Sequence, residues 1–143
     1  MIKRMHHTGF VVSDLEKAVA FYRDGAGLEV QARYERVGAP IEQIVGYEDA
    51  HLRIAVLGMG GEHLLELIQY VNPPPADRPT EERSVLGAAH LSFLVDDIEG
   101  TLDALISNGA RAMNPPAEVA PGRTACYVQD PNGNWIELLE IRE

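Results

Sequence analysis

The sequence has 143 residues, of which 45% are hydrophobic and 24% charged, values that are typical of a single globular domain. Its formal net charge is -10, and such an acidic surface repels phosphate backbones and anionic lipids, which argues against nucleic acid or a membrane as a partner. No signal peptide or membrane-spanning apolar stretch is present, and the one cysteine, Cys126, excludes an internal disulfide. We therefore expect a cytoplasmic protein.

The chain contains an internal repeat with an offset of 83 residues. Five residues of the first copy recur identically in the second, as the pairs His7 and His90, Phe10 and Phe93, Val12 and Val95, Asp14 and Asp97, and Glu16 and Glu99. Two further pairs match in apolar character, Leu15 with Ile98 and Val19 with Leu102. A match of this density indicates two tandem copies of one structural unit.

The first copy predicts a strand, a helix and three more strands. A β-rich stretch at about 6–12 is followed by Ser13 and Asp14, which can cap a helix that ends near Gly25 to Gly27. Strands are then expected at about 28–36, 51–57 and 63–71. The proline-rich residues 72–84 cannot form a helix or a central strand, and we interpret them as a linker.

The second copy predicts the same order of elements. A strand at about 89–95 precedes the capping residues Asp96 and Asp97 and a helix that stops at Gly109, followed by strands at about 110–113, 123–129 and 134–141. We therefore predict an α+β fold, with two tandem βαβββ modules forming a curved mixed sheet around a metal site. The single domain would comprise module 1 at about 1–71, the linker and module 2 at about 85–143.

Each copy also places one glutamate inside an apolar strand, at Glu66 and at Glu137. Successive strand residues point to opposite faces, so each carboxylate lies opposite its two apolar neighbours. Because His7 and His90 begin the first strand of each copy, two related modules would bring all four residues together as metal ligands. His6 is the nearest alternative to His7, but only His7 aligns with His90 in the repeat.

Two imidazoles and two carboxylates suit one borderline divalent ion, such as Zn, Ni, Co, Mn or Fe(II). An octahedral ion with these four ligands keeps two positions for water or substrate, as Lewis-acid chemistry requires. His51 and His63 have no partner in the repeat, and we interpret them as ordinary surface or strand residues.

At these residues the sequence resembles the vicinal oxygen chelate superfamily, which includes glyoxalase I, bleomycin-resistance proteins and extradiol dioxygenases. The matching motifs cover nearly the whole chain: His7-x-x-Phe10-x-Val12-x-Asp14, Leu65-Glu66-Leu67, the equivalent motif from His90, and Asp130-Pro-x-Gly133-x-x-Ile136-Glu137-Leu138. Glyoxalase I and methylmalonyl-CoA epimerase use all four of these positions as ligands, and a glutamate at position 66 resembles the ligand of glyoxalase I there. Extradiol dioxygenases do not use that position as a ligand.

Other positions differ from glyoxalase I. Val11 stands where that enzyme has an arginine that binds the glutathione carboxylate, and Tyr70 stands where it has an asparagine. The resemblance therefore gives poor support to a glutathione substrate. Glu48 lies about where the epimerase has a second acid–base glutamate, although a carboxylate in a turn is the alternative interpretation.

The resemblance implies a divalent-metal-dependent lyase, isomerase or epimerase that acts on a small carbonyl or thioester substrate through a metal-stabilised enediolate. Glu137 or Glu66, alone or together with Glu48, would serve as the base, and the protein would form a homodimer. The site could form within one chain or across two. The alternatives are an Fe(II) extradiol-type dioxygenase and a non-catalytic small-molecule binding protein like the bleomycin-resistance proteins.

Overall fold

The computed structural model describes all of residues 1–143, and the chain divides into two compact units. The first contains residues 1–23 and 27–77, and the second contains residues 24–26 and 78–143. None of the helices is long and apolar enough to cross a membrane.

The first unit contains a four-stranded mixed sheet with two helices. Its elements in chain order are β1 (His7–Val11), α1 (Leu15–Ala20) with a π-helical turn (Phe21–Gly25), β2 (Glu29–Val37), α2 (Ala39–Val45), β3 (His51–Gly58) and β4 (Leu64–Asn72). The strand order is β1-β4-β3-β2, and only the β1–β4 pair is parallel. The first and last strands of this unit are therefore neighbours.

The second unit contains a five-stranded mixed sheet with the same central arrangement. Its elements are β5 (His90–Val95), α3 (Ile98–Ser107), β6 (Arg111–Ala112), β7 (Ala117–Ala120), β8 (Arg123–Gln129) and β9 (Trp135–Ile141). The order is β5-β9-β8-β6, with β7 also paired to β8, and β5 runs parallel to β9. Residues 73–89 contain no helix or strand.

The predicted α+β class is confirmed, and the mixed sheet that was predicted occurs as two mixed sheets of four and five strands, with two elements added. No helix is predicted between the strands at about 28–36 and 51–57, yet α2 forms there with a proline in its first turn, and Gly46 closes it in the left-handed region at φ 75°. No strand is predicted between those at about 110–113 and 123–129, yet β7 forms there with all its residues exposed. Backbone pairing to β8 alone holds β7, so it has no apolar alternation that a sequence could reveal.

Both repeated helices begin in the same way. The side chains of Asp14 and Asp97 accept hydrogen bonds from backbone N–H groups three residues later, which confirms the predicted caps. A second anchor was not predicted. The Leu15 N–H donates to the Gln69 side chain at 3.0 Å, and the Ile98 N–H donates to the Glu140 carboxylate at 2.9 Å.

These second anchors are equivalent in the repeat, because Gln69 and Glu140 each lie three residues after the strand glutamate of their unit. Each ties the start of a helix to the last strand of its own sheet. Glu140 is only 2% exposed and also accepts from Arg142, so the burial of its charge is compensated by two donors.

We predict that Glu140→Leu destabilises the protein by about 1–3 kcal/mol, because it leaves the buried Ile98 N–H without an acceptor. Urea unfolding followed by circular dichroism measures the difference. Glu140→Gln, which keeps an amide oxygen like that of Gln69, should recover most of the loss. Equal stability of Glu140→Leu and the wild type would show that this anchor contributes nothing.

Candidate functional site

In the first unit, one histidine and one glutamate form a pair on neighbouring strands. β1 and β4 are parallel with Gly9 opposite Glu66, so His7 lies two residues before the position that faces the glutamate. His7 Nε2 and Glu66 Oε1 are 3.9 Å apart. The pairing of the first and last strands therefore brings together residues that are far apart in the sequence.

The second unit repeats this pair with the same register. Ser92 of β5 faces Glu137 of β9, and His90 lies two residues before Ser92. His90 Nε2 and Glu137 Oε2 are 3.5 Å apart. The side-chain exposures also match, at 41% and 43% for the two histidines and 24% for each glutamate. The sequence repeat is thus also a repeat of side-chain geometry.

Both glutamates lie on the face expected from strand alternation. Their neighbours in sequence are packed into the core, with exposures of 2% or less: Leu65, Leu67, Ile136 and Leu138. Each carboxylate therefore points away from the core side of its own sheet, toward the face that also carries the histidine of the same unit.

The donor atoms of each pair lie close enough together to contact the same divalent ion. Two ligands that are each about 2.1 Å from an ion are separated by about 3.0 Å at a right angle and by at most about 4.2 Å. The observed separations of 3.5 and 3.9 Å lie within that span. Each pair supplies one nitrogen and one oxygen, and no group of three or more His, Cys, Asp and Glu side chains is arranged to hold a metal.

The other histidines of the first unit have different partners. His6 Nδ1 lies 2.8 Å from His7 Nδ1, so the two rings share a hydrogen bond and the Nε2 of His7 remains on the side of Glu66. His63 is hydrogen-bonded to Thr8 at 2.9 Å, and His51 is paired with Glu35 at 2.6 Å.

Glu48 is not brought to either pair by any recorded contact. It is exposed in the turn between α2 and β3, where it makes no hydrogen bond or ion pair. Its role as an acid or base stays a prediction.

Two aromatic side chains that were not predicted from the sequence, Tyr127 and Trp135, lie beside the second pair and form an aromatic wall. Tyr127 of β8 faces Glu137 in register, and its ring contacts the His90 ring edge-on with centroids 5.1 Å apart. Trp135 faces His90 across the parallel strands and packs edge-on against Tyr127 at 6.3 Å. In the first unit the corresponding neighbour of Glu66 is Val56. The two units therefore repeat the ligands but not their surroundings.

This wall borders a cavity of about 460 Å³ that is open to solvent. Its lining consists of Arg83, Ala88, Ala89, His90, Tyr127 and Trp135. A volume of this size accommodates a small organic molecule. The cavity therefore brings a ligand-sized space against one of the predicted metal ligands.

The electrostatics of this region favour neutral phenol and thiol groups. Burial raises the pKa of Tyr127, the Glu137 carboxylate raises it further, and Arg83 opposes the shift. Burial likewise raises the pKa of Cys126, with smaller contributions from Glu99 and Glu137. The Tyr127 hydroxyl is therefore a hydrogen-bond donor at neutral pH.

Comparison with known proteins identifies the family. The sequence pattern of the Glyoxalase/Bleomycin resistance protein/Dioxygenase superfamily matches residues 4–138. The chain belongs to this superfamily. The resemblance inferred from the repeated motifs is thereby confirmed.

Members of the superfamily with several activities are similar to this chain. A probable lactoylglutathione lyase of Vibrio cholerae is 29% identical, with 98% of this chain and 92% of that protein covered. A 2-epi-5-epi-valiolone epimerase of an Actinomyces species is 28% identical, with 96% and 79% covered. The crystal structure of a glyoxalase family protein from Bacillus cereus superposes with a TM-score of 0.91 at 26% identity, with 100% and 97% covered. The superfamily thus includes lyases and epimerases related to this chain.

We predict that Cys126 reacts slowly with a thiol reagent such as a disulfide dye at pH 8. Its pKa is raised and its side chain is buried, and each unit of upward shift lowers the thiolate fraction about tenfold. The absorbance of the released dye should rise at least about tenfold faster in denaturing urea, where the same thiol is exposed. Equal rates in the folded and unfolded protein would contradict this assignment.

Proposed function

We propose that the protein is a divalent-metal-dependent isomerase, epimerase or lyase that acts on a small carbonyl or thioester compound. One ion would be held by His7, Glu66, His90 and Glu137. The observation that carries the proposal is the matched pair of histidine and glutamate in each unit, with the same register and the same exposure. Relatives named as a lyase and as an epimerase support this class of reaction.

The donor set supports a borderline divalent ion. Each unit supplies one imidazole and one carboxylate, so the two units together offer the two nitrogens and two oxygens that Zn, Ni, Co, Mn or Fe(II) accept. Such an ion would polarise a substrate carbonyl and so acidify the neighbouring C–H group. In this proposal both units would have to contribute, because each pair alone supplies two ligands.

We assign the proton transfer to Glu137. A carboxylate oxygen of Glu137 would accept the proton from the carbon next to the carbonyl and return it on the same or the adjacent carbon. The ligand-sized cavity adjoins His90, the partner of Glu137, which favours this glutamate over Glu66. The protonated Tyr127 hydroxyl beside it can donate a hydrogen bond to a substrate oxygen.

The first prediction of this proposal concerns metal content. Untagged protein should contain about one divalent ion per chain by plasma mass spectrometry, and both His7→Ala and His90→Ala should lose it, because a single ion shared by both units cannot tolerate the loss of either ligand. His63→Ala, which removes a histidine bonded only to Thr8, is the matched control and should retain the metal.

Two outcomes would contradict this arrangement. If each single variant kept half of the metal, the two pairs would be separate sites. If no divalent ion bound under any loading condition, the metal-dependent function would be wrong, and a ligand-binding protein on the same fold would replace it. Metal that is restored on mixing His7→Ala with His90→Ala would assign the site to a dimer interface, since a mixed dimer regenerates one complete set of ligands.

The second prediction concerns the base. In D2O, the metal-loaded protein should exchange the C–H proton next to the carbonyl of its substrate, found by nuclear magnetic resonance across a panel of small carbonyl compounds and thioesters. Glu137→Gln, assayed at a metal concentration that restores the metal content of the wild type, should lower this exchange by about 10²- to 10⁴-fold, since the amide cannot accept the proton. Glu29→Gln, an exposed strand variant, is the control.

Glu48→Gln separates the remaining possibilities for the base, because only a direct role of Glu48 would make that variant lose exchange. Exchange of the substrate proton at the wild-type rate by Glu137→Gln would contradict the assignment of the base to Glu137. Consumption of oxygen together with a strict requirement for iron would instead assign the protein to the dioxygenase branch of the superfamily.

A further inference from the structure

One arginine beside the second pair has no role in the proposed metal site. Arg83 lies in the segment before β5, with its guanidinium carbon 4.8 Å from the ring centre of Trp135 and 5.5 Å from that of Tyr127. It lines the same cavity as His90. The proposed function does not use it.

Arg83 is available for an anion from outside the protein. Although the chain has 22 acidic residues, Arg83 contacts the two aromatic rings and forms no ion pair with a carboxylate. A cation near aromatic rings is attracted by their electron-rich faces, and this attraction does not neutralise the charge as a carboxylate would. The rings therefore hold a cation at the cavity without neutralising it.

Trp135 adds a buried aromatic ring to the cavity lining. The residue is 2% exposed, and its indole Nε1–H is buried and makes no hydrogen bond. The aromatic faces of Trp135 and Tyr127 and the methyl groups of Ala88 and Ala89 give the rest of the lining an apolar character.

We infer that Arg83 binds the carboxylate of a small, singly charged substrate with an apolar body, whose other end reaches the His90–Glu137 pair. The inference rests on the proposed function only in taking that pair as the reacting end. One arginine matches one carboxylate by a two-point hydrogen bond, and the aromatic rings and alanine methyl groups of the lining match an apolar body. A net charge of -10 disfavours phosphate esters, which carry more charge than one arginine offsets.

The test uses Trp135, the only tryptophan of the chain, as the reporter. Its fluorescence is followed while benzoate is added to protein freed of metal with a chelator, so that binding at a metal cannot contribute. Benzoate should give a saturable change. Benzamide, which has the same shape without the charge, should bind at least about tenfold more weakly. Phenyl phosphate, which has the ring with more negative charge, should bind no more tightly than benzoate, because the protein is acidic.

Three variants separate the arginine from general electrostatics. Arg83→Gln should weaken the binding of benzoate about tenfold or more. The affinity of Arg83→Lys should lie between those of the wild type and Arg83→Gln, because lysine keeps the charge but lacks the planar guanidinium group. Arg123→Gln removes the same charge from an exposed position of β8 outside the cavity lining, and its affinity should equal that of the wild type. Calorimetry repeats each affinity without relying on the indole.

The outcomes distinguish this inference from the metal-dependent function. No binding of benzoate to the wild type, equal binding by Arg83→Gln, or tighter binding of phenyl phosphate would overturn the carboxylate subsite and leave the metal measurements as they stand. If the protein bound no divalent ion but still bound benzoate through Arg83, the proposed reaction would be overturned and the carboxylate subsite would stand.

Discussion

The parallel pairing of the first and last strand in each unit is the constraint on which the candidate site depends. It places His7 beside Glu66 and His90 beside Glu137, although the two residues of each pair are far apart in the sequence. Strand alternation then fixes the face, because the residues on either side of each glutamate are buried in the core. A shift of one residue in either parallel pair would turn the carboxylate into the apolar side of the sheet.

The same strands also position the helices. Three residues beyond each glutamate, Gln69 and Glu140 accept a hydrogen bond from the first turn of the helix in their own unit. The strand that carries the candidate ligand therefore also carries the attachment of the helix that covers its other face. This coupling explains how a buried acid can be tolerated at Glu140, since its two donors offset the cost of removing the charge from water.

Much of this arrangement could be predicted from the sequence because the chain repeats itself. A lone strand glutamate such as Glu66 carries little information, but its recurrence with a histidine at matched positions identified both pairs, and Asp14 and Asp97 identified both helix starts. Strand β7 could not be predicted, since backbone pairing holds an exposed edge without an apolar pattern. Helix α2 did carry signals, a proline in its first turn and Gly46 at its end, that were overlooked.

The aromatic wall was missed for a different reason. Tyr127 lies between buried Cys126 and Val128, so alternation alone would have assigned it to the face of Glu137. What alternation cannot supply is the antiparallel register that sets Tyr127 opposite Glu137, or the position of Arg83, which lies in a segment without regular structure. Both depend on tertiary structure.

The unequal surroundings of the two pairs are consistent with the proposed chemistry. Duplication of one module yields two equivalent sets of ligands, which suits a symmetric metal site. Removal of one proton from one carbon is not symmetric, and so one carboxylate must differ from the other. The protein supplies that difference outside the ligands, with Val56 facing Glu66 and with Tyr127 facing Glu137 beside the cavity. The residues that repeat would thus bind the metal, and the residues that differ between the two units would select the substrate and the base.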